Sequence, residues 1–158
     1  MNLLFIAMLS ALPKLNSRPM TYEDFEKAAR RERVRVTLCN YSPEINGYYC
    51  VQRKGSRRIP HIVINSRLDD LRRTFTGFHE LAHHFLHVPV SAQHWYYCRR
   101  TAKVTDRKQE CEANAVALMA IIPKKLMLEL YEDGIDHVDP DLAELCRQRW
   151  EVYQQYGV

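Results

Sequence analysis

The chain has 158 residues, of which 46% are hydrophobic and 27% charged, and its formal net charge is +4. This length suits one domain with a sizeable core, and the composition is that of an ordinary soluble protein. The weakly basic balance falls short of a nucleic-acid-binding domain, so we expect no direct nucleic-acid partner.

The cysteines argue against a disulfide-rich protein. Their number is odd, and no two of them form a C-x-x-C pair, which disfavours both a disulfide framework and a cysteine-rich zinc site. Reduced thiols are typical of cytosolic proteins, so the sequence predicts a cytoplasmic location. The five cysteines are Cys39, Cys50, Cys98, Cys111 and Cys146.

The N-terminal residues 2–12 are apolar and allow more than one interpretation. They could be a targeting segment, an amphipathic helix or translated upstream sequence. No Lys or Arg precedes Lys14, and the stretch is too short to span a bilayer, so we expect no membrane partner. The sequence predicts an uncertain apolar lead over residues 1–19 and one folded domain over residues 20–158.

The residues after this lead predict a helix followed by three strands. Thr21 caps the helix, with acids in its first turn and arginines in its last. The next three segments are rich in β-branched and aromatic residues and are bounded by turn residues. Pro60 has no backbone N–H and fits only an edge position or a strand start. The predicted helix covers residues 21–33, and the strands cover residues 34–40, 47–52 and 58–65.

From Leu68 onward the apolar residues follow a helical period. Pro89 ends the first of these helices, and an irregular aromatic segment follows over residues 88–102. The last helix has Asp139 as its cap and Pro140 at its first position. Between them, helices are predicted over residues 106–122 and 124–131. A helix, a small three-stranded sheet and further helices together predict an α+β fold with a helical core.

The first of the later helices carries the sequence HELAH, in which His79 and His83 are one turn apart on the same face. Two imidazoles so placed can bind one zinc ion, and Glu80 can take a proton from a water molecule beside it. The alternative is an accidental pattern on an ordinary helix. The motif lies in an apolar stripe, however, and buried histidines and a carboxylate are costly without a partner such as a metal.

The neighbouring histidines have weaker assignments. His84 points away from His79, and we expect a surface or hydrogen-bonded side chain there. His87 is four residues after His83 and near the edge of the predicted site. It could be a spare ligand, but a capping role or support of a ligand is favoured.

A catalytic zinc site needs a third protein ligand, and the helix over residues 106–122 offers two. Glu110 continues the small-residue face of Ala113 and Ala117, whereas Glu112 is about 200° away around the helix. Glu110 is therefore the predicted ligand, and Glu112 stays open as the alternative. Asn114, one turn beyond Glu110, could form a hydrogen bond with a ligand.

Two stretches, RRTFTGFHELAHHFLH and ECEANAVALMAIIP, resemble the ImmA/IrrE-like zinc metallopeptidases. The resemblance extends over residues 22–145. It implies a gluzincin-like fold with Zn²⁺ as cofactor, His79, His83 and Glu110 as metal ligands, and Glu80 as the catalytic base. It also implies a protein substrate, namely a helix-turn-helix repressor, which we expect to be separately encoded because no helix-turn-helix precedes the motif here.

These observations favour a zinc-dependent endopeptidase acting on a repressor. One alternative is a non-proteolytic, metal-containing module or anti-repressor that sequesters a regulator, and another is a DNA-binding regulator that uses the arginine-rich segments. For an endopeptidase, the residue that stabilises the oxyanion is left open. The candidates are His61, Tyr96, Tyr97 and His137.

Overall fold

The computed structural model describes the backbone of residues 3–87 and 104–158, and the side chains of residues 6–87 and 107–158. Within those ranges it has the predicted α+β fold, with helices around a small three-stranded sheet. The aromatic segment over residues 88–102 lies outside the described residues. The elements are α1 (Leu3–Ala11), α2 (Tyr22–Arg31), β1 (Arg35–Cys39), β2 (Gly47–Lys54), β3 (Arg57–Asn65), α3 (Asp70–Leu86), α4 (Val104–Ile121), α5 (Lys124–Asp133) and α6 (Pro140–Tyr156).

Helix α2 begins with the predicted Thr21 cap. The Thr21 hydroxyl accepts a hydrogen bond from the Asp24 backbone N–H, and the Asp24 carboxylate accepts one from the Thr21 N–H, which completes a capping box. Arg18 adds two hydrogen bonds to the same carboxylate, at 2.8 and 2.9 Å. Arg18 thereby lowers the pKa of Asp24 to about 2.

The sheet has the order β1-β3-β2, with β3 in the centre. Strand β1 runs parallel to β3, and β2 runs antiparallel to it. The expectation that Pro60 lies at an edge or a strand start is wrong, because Pro60 lies inside the central strand, opposite Val51 of β2. Strand β1 pairs with β3 only from His61 onward, so Pro60 has a strand on one side only in the described sheet, which reduces the cost of its missing N–H.

Helix α3 lies at the centre of the molecule and contacts α2, α4, β2 and β3. Its side chains Phe78, Leu81 and Ala82 are fully buried. Helix α4 packs against it, and the predicted small-residue face of α4 is fully buried: Ala113, Val116, Ala117 and Ala120. Small side chains allow two helix backbones to approach closely, and this packing fixes the relative position of the two helices.

The apolar lead contributes buried side chains to the same core, namely Met8, Leu12 and Leu15. Asn16 follows them, and its side-chain oxygen accepts hydrogen bonds from the Lys124 N–H and from the fully buried Arg149. The lead is therefore tied to the start of α5 and to α6. The domain start at residue 20 stays a prediction.

The sequence also predicted reduced cysteines and no membrane partner. Among the described residues, Cys39, Cys50, Cys111 and Cys146 are free thiols. No helix in these ranges combines the length and the apolar character that a membrane span requires.

Gly77 of α3 lies against the ring of Phe25 in α2. A Cβ atom built there would lie 2.9 Å from two ring carbons of Phe25, and this ring is fully buried. We expect Gly77→Ala to destabilise the protein, because the overpacking cost of about 1–3 kcal/mol exceeds the gain of about 1 kcal/mol in helix propensity. Urea unfolding of both proteins measures the difference. A G77A protein more stable than wild type would contradict this prediction and show that the Phe25 ring can move to accommodate the added methyl group.

The Asp24 interactions predict a pH-dependent contribution to stability. Because the folded-state pKa of Asp24 is lowered from 3.8 to about 2, its contribution is complete above pH 4 and disappears as the pH falls through about 2. We expect Asp24→Asn to lower the free energy of unfolding by about 1 kcal/mol at pH 7, and by less at pH 3. Urea titrations at the two pH values measure this. An equal loss at both would contradict the assignment of the effect to the ionised carboxylate.

Candidate metal centre

Three of the predicted site residues meet at the α3–α4 interface. The Nε2 atoms of His79 and His83 are 3.1 Å apart. The two carboxylate oxygens of Glu110 face them, with Oε2 3.3 Å from His79 Nε2 and Oε1 3.3 Å from His83 Nε2. Ligands at about 2.0–2.1 Å from a tetrahedral zinc ion are themselves about 3.4 Å apart. The spacing and chemistry of these donor atoms therefore fit a small divalent ion, and this cluster is the candidate metal-binding group within the described residues.

The hydrogen bond of His79 directs its Nε2 lone pair toward this cluster. Its other nitrogen, Nδ1, lies 2.8 Å from the side-chain oxygen of Asn114, which can only accept a hydrogen bond. Nδ1 must then carry the proton, and in the neutral ring Nε2 is left as the acceptor facing Glu110. Asn114 thus supports His79 as the sequence predicted for a residue one turn beyond Glu110.

The charges around the cluster favour a bound cation. The contacts of Glu110 with His79 and His83 hold its pKa well below the usual range of a carboxyl group. Burial lowers the pKa of His79, but Glu110 and Glu80 outweigh burial, and the net shift is upward. In the absence of an ion, the carboxylates therefore favour a proton on His79, so a metal ion must compete with that proton.

Glu80 lies in the same region but outside the donor cluster. It is 3% exposed, and its Oε2 atom has no hydrogen-bond partner among the described residues. The backbone N–H of Tyr49, on β2, donates a hydrogen bond to its carboxylate. Burial raises the pKa of Glu80. A buried carboxylate with one oxygen held and the other without a partner is suited to accept and return a proton.

The other candidate residues have contacts of their own. His84 is hydrogen-bonded, with its Nδ1 3.0 Å from the Tyr49 hydroxyl. The Nε2 atom of His61 is 2.8 Å from the Thr37 hydroxyl, within the sheet. His137 lies in a 3-10 turn before α6. Tyr96 and Tyr97 lie outside the described residues.

Glu112, the alternative third ligand, is 4% exposed and lies 3.1 Å from Nε2 of His87. The Nδ1 atom of His87 is in turn 2.9 Å from Nδ1 of His83. Glu112 therefore reaches the donor cluster through His87 and not directly. The sequence indicated Glu112 as an alternative metal ligand and did not predict this contact with His87.

Sequence reasoning missed Tyr49, which holds Glu80 through its backbone and His84 through its hydroxyl. Burial raises the pKa of this hydroxyl to about 12, so it remains protonated at neutral pH. Every residue except proline has a backbone N–H, so the residue type at position 49 could not predict the hydrogen bond to Glu80. Only the packing of β2 against α3 reveals it.

The fold and the site together define an α+β domain with a candidate metal centre between two helices. The peptidase M78 family, described as the IrrE N-terminal-like domain, matches residues 29–155, and the chain belongs to this family. This confirms the resemblance seen in the two motifs and supports a peptidase.

One curated relative is an uncharacterized immunity region protein 2 from Bacillus phage phi105. It is 33% identical over 114 residues, which cover 72% of this chain and 67% of the relative. No solved structure matches the chain significantly.

The donor cluster predicts binding of one divalent transition-metal ion. We expect His79→Ala and Glu110→Ala to weaken binding more than about 100-fold, beyond the 10–100-fold cost of losing an outer partner. Binding should also weaken as the pH falls, because protons compete for His79. Competition with a chelator of known affinity measures both effects. His84→Ala, on the same helix but outside the cluster, is the control and should bind as wild type. Equal affinities in all variants would rule out this cluster.

Proposed function

We propose that the protein is a zinc-dependent endopeptidase that cleaves a helix-turn-helix transcriptional repressor. The observation that carries the proposal is the convergence of His79, His83 and Glu110 beside the buried Glu80 carboxylate. Membership of a peptidase family supports hydrolysis of a protein substrate. Two histidine nitrogens and one carboxylate oxygen are a donor set used by catalytic zinc, which keeps a further position open.

In this proposal, His79, His83 and Glu110 hold the zinc ion, and Glu80 handles the proton. Bound zinc supplies a Lewis acid for the peptide carbonyl and for a water molecule. Glu80 takes the proton from the attacking water at Oε2 and returns it to the leaving amine nitrogen. Burial disfavours the charged carboxylate, which helps Glu80 to keep the proton between these two transfers.

The choice of a repressor as substrate rests on two supports. The family resemblance implies cleavage of a helix-turn-helix repressor, and the phage relative is named for an immunity region. A separately encoded repressor, in a cytoplasmic setting, fits both. A neighbouring repressor gene would provide the first substrate to assay.

The same three ligands also fit a second function, that of a non-proteolytic module that sequesters a regulator. Glu80 discriminates between the two. It is not among the donor atoms of the cluster, so a purely structural or sequestering metal site gains nothing from it. The buried, partly unpartnered carboxylate therefore favours catalysis, since such a group is costly to keep without a role.

We expect Glu80→Gln to retain zinc but to slow repressor cleavage by about 10²–10⁴-fold, since the amide cannot take the proton. Single-turnover cleavage of the purified repressor and metal analysis of the same sample measure both properties. His84→Gln is the matched control and should cleave as wild type. Wild-type cleavage by E80Q would exclude Glu80 as the base.

A reporter assay separates the two functions in cells. If the protein is a peptidase, E80Q fails to relieve repression while the repressor stays intact. If it sequesters the repressor, E80Q relieves repression as well as wild type does. The second result would replace the peptidase proposal by the binding module.

A further inference from the structure

The two histidines of the donor cluster have different partners behind them. His79 is supported by one neutral amide, whereas His83 is supported by a second histidine and then by a carboxylate. The row His83–His87–Glu112 crosses from α3 to α4, and each of its three side chains belongs to a residue that is at least nine-tenths buried. Such a buried polar row requires each member to have a defined donor or acceptor role.

The carboxylate end fixes the direction of the row. An ionised carboxylate only accepts hydrogen bonds, and the ammonium group of Lys108 lies 3.8 Å from Oε1 of Glu112. His87 must then donate from Nε2, and in a neutral ring its Nδ1 becomes an acceptor. The hydrogen bond of 2.9 Å between the two Nδ1 atoms therefore needs the proton of His83. This leaves the Nε2 lone pair of His83 facing Glu110.

We propose that His87 and Glu112 are positioning residues, which hold the His83 ring in the tautomer and orientation that present its Nε2 lone pair to the metal. This proposal rests on the proposed metal site. Partners of this kind fix ring orientation and raise ligand affinity at metal sites generally. The two acids of the ECE sequence thus have separate tasks, since Glu110 contacts the histidine donor atoms directly and Glu112 orients one of them from behind.

The tautomer of His83 can be read without any substitution of the row. Two-bond ¹H–¹⁵N spectra of the metal-free, full-length protein at neutral pH distinguish a protonated Nδ1 from a protonated Nε2, and the loss of a signal in His83→Gln assigns it. We expect the proton on Nδ1 in wild type and a mixture of tautomers in Glu112→Gln, whose amide can donate as well as accept. A wild-type His83 protonated on Nε2 would overturn the proposal.

Zinc affinity provides the second readout. We expect His87→Phe, which keeps a ring but has no hydrogen-bonding group, to weaken zinc binding 10–100-fold. His87→Gln should restore it to within about threefold of wild type, because its carbonyl accepts from His83 and its amide donates to Glu112. His84→Phe, the same change at the adjacent histidine, is the control. Wild-type affinity in H87F, or equal losses in H87F and H87Q with unchanged thermal stability, would overturn the proposal.

The two readouts separate this proposal from the proposed function. If wild type binds no zinc, the peptidase proposal fails, and the tautomer spectrum alone then decides whether the row orients His83. If wild type binds zinc and cleaves a repressor but H87F binds zinc equally well, the function stands and the positioning role fails.

Discussion

The close packing of α4 against α3 is the contact on which the site depends. Neither helix can form the donor cluster alone, since α3 supplies two imidazoles and α4 supplies the carboxylate of Glu110. The alanines at residues 113, 117 and 120 allow the two backbones to approach until these groups lie within 3.3 Å of one another. Larger side chains on this face would separate the helices and move Glu110 away from the histidines. Residues that never contact a substrate thus determine the geometry of the site.

The same packing buries polar groups whose energetic cost needs an explanation. With both Nδ1 atoms engaged by acceptors, His79 and His83 turn lone pairs toward one another and toward an anionic carboxylate. Three such atoms repel one another unless a cation lies between them, either a proton or a metal ion. The hydrogen bonds of the two Nδ1 atoms therefore orient the ring nitrogens, and they also make a cation between the Nε2 atoms and Glu110 energetically favourable. This is why Asn114, His87 and Glu112 belong to the physical description of the site.

The sequence predicted the local features of this protein better than its long-range contacts. The Thr21 cap, the helix ended near Pro89 and the HELAH face depend on residues within one or two turns, and local chemistry decides them. Helical spacing pointed to Glu110, although Glu112 proved the more buried acid. Its partner His87 lies 25 residues away, and no local pattern records that contact. The error at Pro60 has a similar cause, because strand order and the short reach of β1 follow from tertiary packing.

The base and the ligands are fixed by different interfaces of one helix. Glu80 faces β2, where the Tyr49 backbone holds it, whereas His79 and His83 face α4. Because adjacent residues on a helix point about 100° apart, one turn of α3 can place a proton acceptor beside a metal without making it a ligand. The sheet thus has a chemical role in addition to its share of the core. A change in the α3–α4 interface should alter metal affinity first, while a change in the packing of β2 on α3 should alter the base and leave the metal bound.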